Sequence, residues 1–193
     1  MFEFIQGKLF KITPAYAVLE NTGLAYFINI SLHTFSAVQD KEHCRLFIHE
    51  VIREDAHSLF GFYTEVERDI FRNLISVSGI GPNTARMILS SMSPDETKNA
   101  ILSGDVDLLK SVKGIGAKTA QRIIIDLKDK IGKADEHIEI FTDASNTIKE
   151  EALSALIMLG FGKAAVEKAL AKIIKQEKDL SVEQLIKRAL KQL

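Results

Sequence analysis

The sequence predicts an α+β protein with several domains, in which a β-rich N-terminal part is followed only by helices. Three observations support this fold class. Short runs of aromatic and β-branched residues fill the first third of the chain, a Gly-Ile-Gly motif occurs twice in the middle, and helical periodicities continue to the end. We therefore expect four parts, which cover residues 1–63, 64–132, 133–146 and 147–193.

The composition favours a globular protein in a reducing compartment. Apolar residues make up 46% of the 193 residues and charged residues 26%, which allows packed cores and is typical of a soluble chain. No apolar run is long enough for a membrane span, and the first residues lack the charged segment of a secretion signal. The lone Cys44 cannot form an internal disulfide, and the five histidines lack metal-ligand spacing. We expect a cytoplasmic protein with no metal, no cofactor and no membrane partner.

The net charge of -1 at pH 7 argues against a broad attraction to nucleic acid. Only the middle of the chain has a basic excess, with 11 basic and 9 acidic side chains in residues 64–133. Any affinity for DNA must therefore come from localised patches and backbone donors, and several subunits acting together would increase it.

The first part of the chain predicts five short strands separated by turn residues such as Pro14 and Gly23. The strand-like runs cover residues 2–10, 15–19, 24–30, 45–52 and 58–62. A looser stretch, residues 31–42, separates the third run from the fourth. Five strands of this length favour a small barrel of the oligonucleotide-binding (OB) type.

Two adjacent carboxylates, Glu54 and Asp55, lie between the last two predicted strands. Acidic residues at the tip of a hairpin most often form a solvated turn, and the residues alone favour that interpretation.

A motif repeated 35 residues apart carries the strongest functional signal. Gly79-Ile80-Gly81 and Gly114-Ile115-Gly116 each follow an apolar helix and precede a new helix with Thr-Ala at the same offset. Glycine permits positive φ on either side of the isoleucine, which points into the core. The N–H groups at the start of the next helix then lack partners, and the helix dipole is positive there. The motif predicts a phosphate site that does not read bases.

Two such motifs predict a tandem of helix-hairpin-helix units over residues 64–132. Capping-box spacing at Thr64 and Glu67, and again at Ser93 and Glu96, marks two helix starts. Further helices are expected over residues 82–91, 105–110 and 117–131. Each hairpin is followed by a helix with basic residues, and these candidate phosphate ligands are Arg86, Lys118 and Arg122.

The polar residues 133–146 predict a flexible linker, and a three-helix bundle is expected after it. The first of its helices would be capped by Thr147. So small a bundle has little core and often presents an apolar patch to a partner. The apolar stripe contains Leu156, Leu159 and Phe161, and core packing and partner docking are equally compatible with these three residues.

The order of these parts resembles the RuvA family, the Holliday-junction recognition subunits of the bacterial branch-migration complex. The resemblance extends over essentially the whole chain. It is carried by Arg53-Glu54-Asp55-Ala56, Gly79-Ile80-Gly81-Pro82, Gly114-Ile115-Gly116 with Lys118-Thr119-Ala120, and Leu159-Gly160-Phe161. It implies an OB barrel, a tandem helix-hairpin-helix domain and a UBA-like three-helix tail.

The resemblance also implies a function in homologous recombination and DNA repair, including the SOS response to DNA damage. The chain would form a homotetramer, alone or as a facing pair, that holds a four-way DNA junction open and planar. The tail would bind the hexameric ATPase RuvB, and the resolvase RuvC would be a further partner. The chain itself would not be an enzyme.

Roles for individual residues follow from the same resemblance. The implied phosphate contacts are Gly79, Gly81, Asn83, Gly114, Gly116 and Lys118. Asn83 departs from the family, which commonly has lysine there, so we expect weaker binding at the first hairpin. Glu54 and Asp55 would form an acidic pin at the centre of the tetramer, and the tail residues Leu156, Leu159 and Phe161 would contact the motor.

Two other functions remain open from the residues alone. Base-excision glycosylases also contain helix-hairpin-helix units, but their catalytic aspartate would fall near Asp135 in the polar linker, and Asp126 and Asp129 fit surface charges better. A single-strand binder would present aromatic residues on the barrel, whereas the alternation of the strands directs them inward. No P-loop occurs, so any ATP hydrolysis would belong to a partner.

Overall fold

The computed structural model describes the backbone of residues 1–139, 144–177 and 180–193, and their side chains except those of residues 133–139, 144–147 and 176. The chain divides into two compact units, Met1–Gly132 and Lys133–Leu193. None of the helices in the described ranges combines the length and the apolar content that a membrane span requires.

Five strands close a barrel in the first unit, as predicted. They run in the order β1-β2-β3-β5-β4, and β4 returns to pair with β1. All neighbouring pairs are antiparallel except β3 and β5, which are parallel. The strands are β1 (Phe4–Ile12), β2 (Tyr16–Asn21), β3 (Leu24–Ile30), β4 (His43–Ile52) and β5 (His57–Phe62).

Aliphatic side chains on alternate strand positions fill the barrel. Its buried core includes Ile5, Leu19, Ile28, Ile30, Leu46 and Ile48. The prediction that the aromatic residues of the strands point inward was wrong for several of them. Phe4 is 46% exposed, Phe10 73% and Phe27 55%, because they occupy the opposite phase of the alternation.

A short helix, α1 (Leu32–Val38), lies between β3 and β4, where the sequence showed no clear pattern. Ser31 caps this helix, because its hydroxyl accepts a hydrogen bond from the Thr34 N–H at 3.0 Å. Val38 is fully buried and Phe35 packs against the barrel core. A capping serine followed by apolar residues at a spacing of three was the signal in the sequence.

Five helices follow the barrel and contain the two hairpins, which confirms the helix-hairpin-helix tandem. They are α2 (Glu65–Ile75), α3 (Pro82–Ser91), α4 (Pro94–Ser103), α5 (Val106–Lys110) and α6 (Ala117–Glu139). Their core continues into the barrel, since the ring of Phe71 in α2 lies 5.3 Å from that of Phe60 and 4.8 Å from that of Phe62 in β5. This shared core holds the hairpins in place relative to the barrel.

Helix α6 is longer than predicted. Its expected end near residue 131 was too early, because no proline interrupts the helix-forming residues up to Glu139. The predicted linker, residues 133–146, thus overlaps the end of α6, and its residues 140–143 lie outside the described part of the chain.

Glu67 in α2 is a fully buried carboxylate that joins α1 to α2. It accepts hydrogen bonds from the hydroxyls of Ser31 and Thr34, the latter at 2.7 Å. Burial raises the pKa of Glu67 above its ordinary value, and these hydrogen bonds oppose the shift. The predicted capping box at Thr64 is therefore only half formed, because Thr64 caps the helix but the carboxylate is used elsewhere. The box of Ser93 and Glu96 is complete.

The second unit contains the three predicted helices, α7 (Ala144–Met158), α8 (Lys163–Gln176) and α9 (Val182–Ala189). Helix α7 begins at Ala144, before the predicted cap Thr147, whose side chain lies outside the described part of the chain. The small apolar core of this unit consists of Ala152, Leu156, Val166, Leu170, Ile173, Leu185 and Ala189.

Candidate nucleic-acid interface

The two Gly-Ile-Gly motifs form the same turn between helices. The first glycine of each, Gly79 and Gly114, has φ +92°, a value that strains any residue with a Cβ. The isoleucine after it is buried in both copies, with Ile80 5% and Ile115 6% exposed. Its N–H donates to the carbonyl three residues earlier at 3.0 Å in both turns. The motifs are therefore repeats in backbone geometry as well as in sequence.

The glycines leave the main chain open to solvent. Gly79, Gly81, Gly114 and Gly116 are all exposed, and no atom beyond their chain neighbours lies within 4 Å of the place a Cβ would occupy. No group in the described part of the chain accepts a hydrogen bond from the N–H of any of the four. These donors are available to an external acceptor.

The helices that follow the hairpins begin without a side-chain cap. Gly81 stands at the cap position of α3 and forms no side-chain hydrogen bond, and Gly116 precedes α6 in the same way. The other helices of this unit start differently, because α1, α2, α4 and α5 are capped by Ser31, Thr64, Ser93 and Asp105. Free N–H groups and the positive end of the helix dipole therefore coincide at the two hairpins.

Basic side chains accompany the second hairpin. Lys118 and Arg122 are exposed and lie one turn apart on α6, on the same surface as Ile125 and the carboxylate of Asp126. The Arg122 Nη1 also donates to the carbonyl of Ser78, in the first hairpin, at 3.1 Å. This hydrogen bond connects the two predicted phosphate sites.

The first hairpin is less basic than the second. Asn83 is the second residue of α3 and is exposed, in the position that Lys118 occupies in α6. A neutral amide thus stands where the second copy has a cation.

Arg86 was also predicted to bind phosphate, and its geometry favours a structural role instead. Its Nη1 donates to the carbonyl of Ala15 at 3.0 Å and to the Asn29 Oδ1 at 3.2 Å. Partial burial lowers its pKa, although the arginine stays charged. Arg86 braces α3 against the barrel, and the sequence could not show this because both partners are distant.

Glu54 and Asp55 lie at the tip of the β4–β5 hairpin, as predicted. The ladder ends at the pair of Ile52 and His57, and the turn is closed by the Arg53 N–H, which donates to the Ala56 carbonyl at 2.8 Å. Both carboxylates are exposed, and neither forms an ion pair with another residue of the described ranges. The hairpin therefore presents two exposed carboxylates beside the exposed Arg53.

The three predicted docking residues of the tail have different environments. Leu156 is fully buried in the core of the bundle, so its assignment to a docking surface was wrong. Leu159 is 61% exposed, and Phe161 is partly buried against the same core. Sequence reasoning missed Met158, which is 86% exposed. The reason is that α7 ends at Met158, so the last apolar residues leave the stripe that faces the core.

Three protein-family models match the chain. They are described as RuvA N terminal domain, over residues 1–61, SAM-like Helix-hairpin-helix tandem, over residues 71–129, and RuvA, C-terminal domain, over residues 147–193. Among similar proteins, the Holliday junction branch migration complex subunit RuvA of Christiangramia forsetii is 51% identical over 193 residues and covers all of both chains.

The chain belongs to the RuvA family.

The proteins of the same name from Bacteroides thetaiotaomicron and Flavobacterium psychrophilum are 51% and 49% identical and also cover all of both chains. The RuvA family membership confirms the resemblance stated from the motifs. Within this RuvA-family chain, the structure places both hairpins on the unit that contains the barrel, and it places the tail residues on the other unit.

Proposed function

We propose that this chain binds four-way DNA junctions by their shape and holds the DNA backbone on its two hairpins. One observation carries the proposal. Two identical glycine corners offer free N–H groups at uncapped helix starts and are joined by the hydrogen bond between Arg122 and Ser78. Such corners suit two phosphates of one duplex arm, and contacts to the backbone alone give no sequence preference.

The choice of a four-way junction is supported by the relatives. Their name places them in a Holliday junction branch migration complex. One chain has a net charge of -1, whereas DNA-binding proteins usually have an excess of basic residues. A single subunit is therefore expected to bind DNA weakly. We infer a homotetramer, single or as a facing pair, in which each subunit holds one arm and four hairpin pairs act together.

The acidic tips would give the tetramer its preference for junctions. With four subunits around one axis, each Glu54 and Asp55 would repel phosphates near the centre. A continuous duplex has to cross that centre, whereas the strands of a junction part around it. The pin would thus act by excluding the wrong substrate.

The remaining steps of branch migration belong to partners in this proposal. The chain has no P-loop, and we assign ATP hydrolysis to the motor RuvB and strand cleavage to the resolvase RuvC. The exposed residues Met158 and Leu159 form the docking patch for the motor. The bacterial cytoplasm, which contains the chromosome, is the compartment that fits this function.

The proposal is tested by comparing affinities for three DNAs of equal arm length at one salt concentration. The expected order is four-way junction, then duplex, then single strand, with no dependence on arm sequence. Equal affinity for junction and duplex would exclude junction recognition. A preference for the single strand would favour the alternative function, a single-strand binder that uses the face of the barrel.

A further inference from the structure

Two aromatic side chains, the half-buried Tyr16 and the exposed Phe27, form a stack on the outside of the barrel. The rings of Tyr16 in β2 and Phe27 in β3 have centroids 4.5 Å apart and an interplanar angle of 27°. Phe27 is 55% exposed, and the Lys11 Nζ lies 5.6 Å from the centre of the Tyr16 ring. Neither ring belongs to the buried core, which other residues fill. The stack therefore presents aromatic surface beside a cation.

This stack lies next to the helix of the first hairpin. Arg86 binds the carbonyl of Ala15, the residue before Tyr16, and the side chain of Asn29, which pairs with Tyr16 across the strands. Arg86 follows Gly81 by five residues, which corresponds to about 7.5 Å along a helix. The aromatic stack and the free hairpin amides thus belong to one compact unit, and Arg86 connects the helix of the first hairpin to the strands that carry the stack.

We propose that the Tyr16–Phe27 stack binds an unpaired base of the DNA strand whose phosphate occupies the first hairpin. The inference rests on the proposed function and names a second contact of the same site. The face of strands 2 and 3 is where OB barrels bind oligonucleotides. Aromatic rings stack on any base, but only where the base is not already covered by its neighbours in a duplex.

A junction held open at its centre is the DNA that supplies such bases. The neighbouring Lys11 suits the phosphate attached to a stacked base, and the first hairpin would hold the same backbone further along the strand. These two features favour a nucleic acid over a second copy of this chain as the occupant. The contact would capture strands as they separate, without reading their sequence.

The test uses the full chain and two four-way junctions with identical arms, one with a fully paired core and one with two unpaired thymines in each strand at the crossover. The wild type should bind the unpaired core about tenfold more tightly. Phe27→Leu, which keeps an apolar side chain, should lose this advantage and keep its affinity for the paired core. The matched control is Phe4→Leu, because Phe4 is similarly exposed but lies where β1 pairs with β4.

In a second experiment, 5-iodouracil replaces one unpaired thymine, and the residues to which it crosslinks on irradiation are identified. The crosslinks should form to Tyr16 or Phe27. An advantage that survives in Phe27→Leu, or crosslinks elsewhere, would overturn the inference while junction binding stands. A tetramer that dissociates in Phe27→Leu would identify a subunit interface and also overturn it. If the wild type does not prefer junctions to duplex, the proposed function itself fails.

Discussion

Arg122 and Ser78 form a hydrogen bond that joins the two hairpins, with the guanidinium of one repeat donating to the carbonyl of the other at 3.1 Å. The residues lie 44 positions apart, yet the bond brings the helix after the second glycine corner against the turn of the first. The two predicted phosphate sites, which are repeats in sequence, are therefore joined by a direct hydrogen bond.

Lys118 and Arg86 should respond differently to removal of their charge. Lys118→Gln should weaken junction binding and lower the slope of log Kd against log salt concentration by about 0.9 for each phosphate that the variant no longer neutralises. Arg86→Gln should leave that slope unchanged and lower the free energy of unfolding by about 1–2 kcal/mol, because it breaks hydrogen bonds to the barrel. Salt titrations and urea denaturation measure the two effects. If the slope falls equally in both variants, Arg86 contacts a phosphate as Lys118 does.

The acidic tip should control discrimination rather than affinity for junctions. Replacing Glu54 by Gln and Asp55 by Asn should tighten binding to plain duplex and narrow the preference for junctions, because the repulsion at the centre is removed. The matched control changes Asp40 to Asn and Glu42 to Gln, which removes the same charge from another exposed part of the barrel unit. Anisotropy titrations at fixed salt should show an effect of the first pair only. If the affinities for duplex and for junction are unchanged in both variants, Glu54 and Asp55 do not act as an acidic pin.

The tail should separate into core and docking residues. Leu156→Ala should destabilise the bundle by about 2–5 kcal/mol, because it opens a cavity in a fully buried position.

Met158→Ala with Leu159→Ala should leave the bundle folded and reduce stimulation of the motor ATPase. Deletion of residues 147–193 should abolish that stimulation and preserve junction binding. Loss of junction binding on deletion would show that the first unit does not bind the junction independently of the second.

Glu67 should make stability depend on pH in a defined direction. Its pKa is raised in the folded protein from an ordinary value of 4.5, so the folded state binds a proton more readily than the unfolded state. Its contribution is therefore fully present below the unfolded pKa and is lost as pH rises through the folded pKa. Glu67→Gln cannot titrate. Urea denaturation at about pH 5 and about pH 8 measures the free energy of unfolding of both proteins. Between the two pH values the wild type should lose stability relative to Glu67→Gln. No such loss would mean that the pKa of Glu67 is not raised.

Local patterns predicted the turns, most strands and most caps because each depends on a few neighbouring residues. The glycine corners are the clearest case, since positive φ, the buried isoleucine and the uncapped helix are all encoded within a few positions. The cap at Ser31 was present as well, but α1 is too short for a clear periodicity.

The environments of other side chains depend on distant residues. Arg86 meets partners 71 and 57 positions away, so the sequence could not show the hydrogen bonds that favour a bracing role. Leu156 and Leu159 look alike on a helical stripe, and only the end of α7 separates core from surface. The aromatic residues of the strands were assigned to the core from the alternation of the strands, whose phase relative to the core depends on pairing with distant strands. The phase of the alternation put several of them outside.

Bare main chain at the hairpins is proposed to bind the DNA backbone, and a double substitution of glycine tests this contact. Gly81→Ala with Gly116→Ala adds a methyl group at each corner, where it meets no atom of the protein within 4 Å. The matched control is Gly162→Ala, since Gly162 also precedes a helix without a side-chain cap but lies in the tail.

The fold of both variants is checked first by thermal denaturation, and junction affinity is then measured at fixed salt. The double variant should bind four-way junctions at least about tenfold more weakly, because the added methyl groups keep the phosphates from hydrogen bonds that contribute about 1.5–3 kcal/mol each. Gly162→Ala should bind as the wild type does. A folded double variant that binds the junction as tightly as the wild type would show that these amides do not hold the DNA backbone.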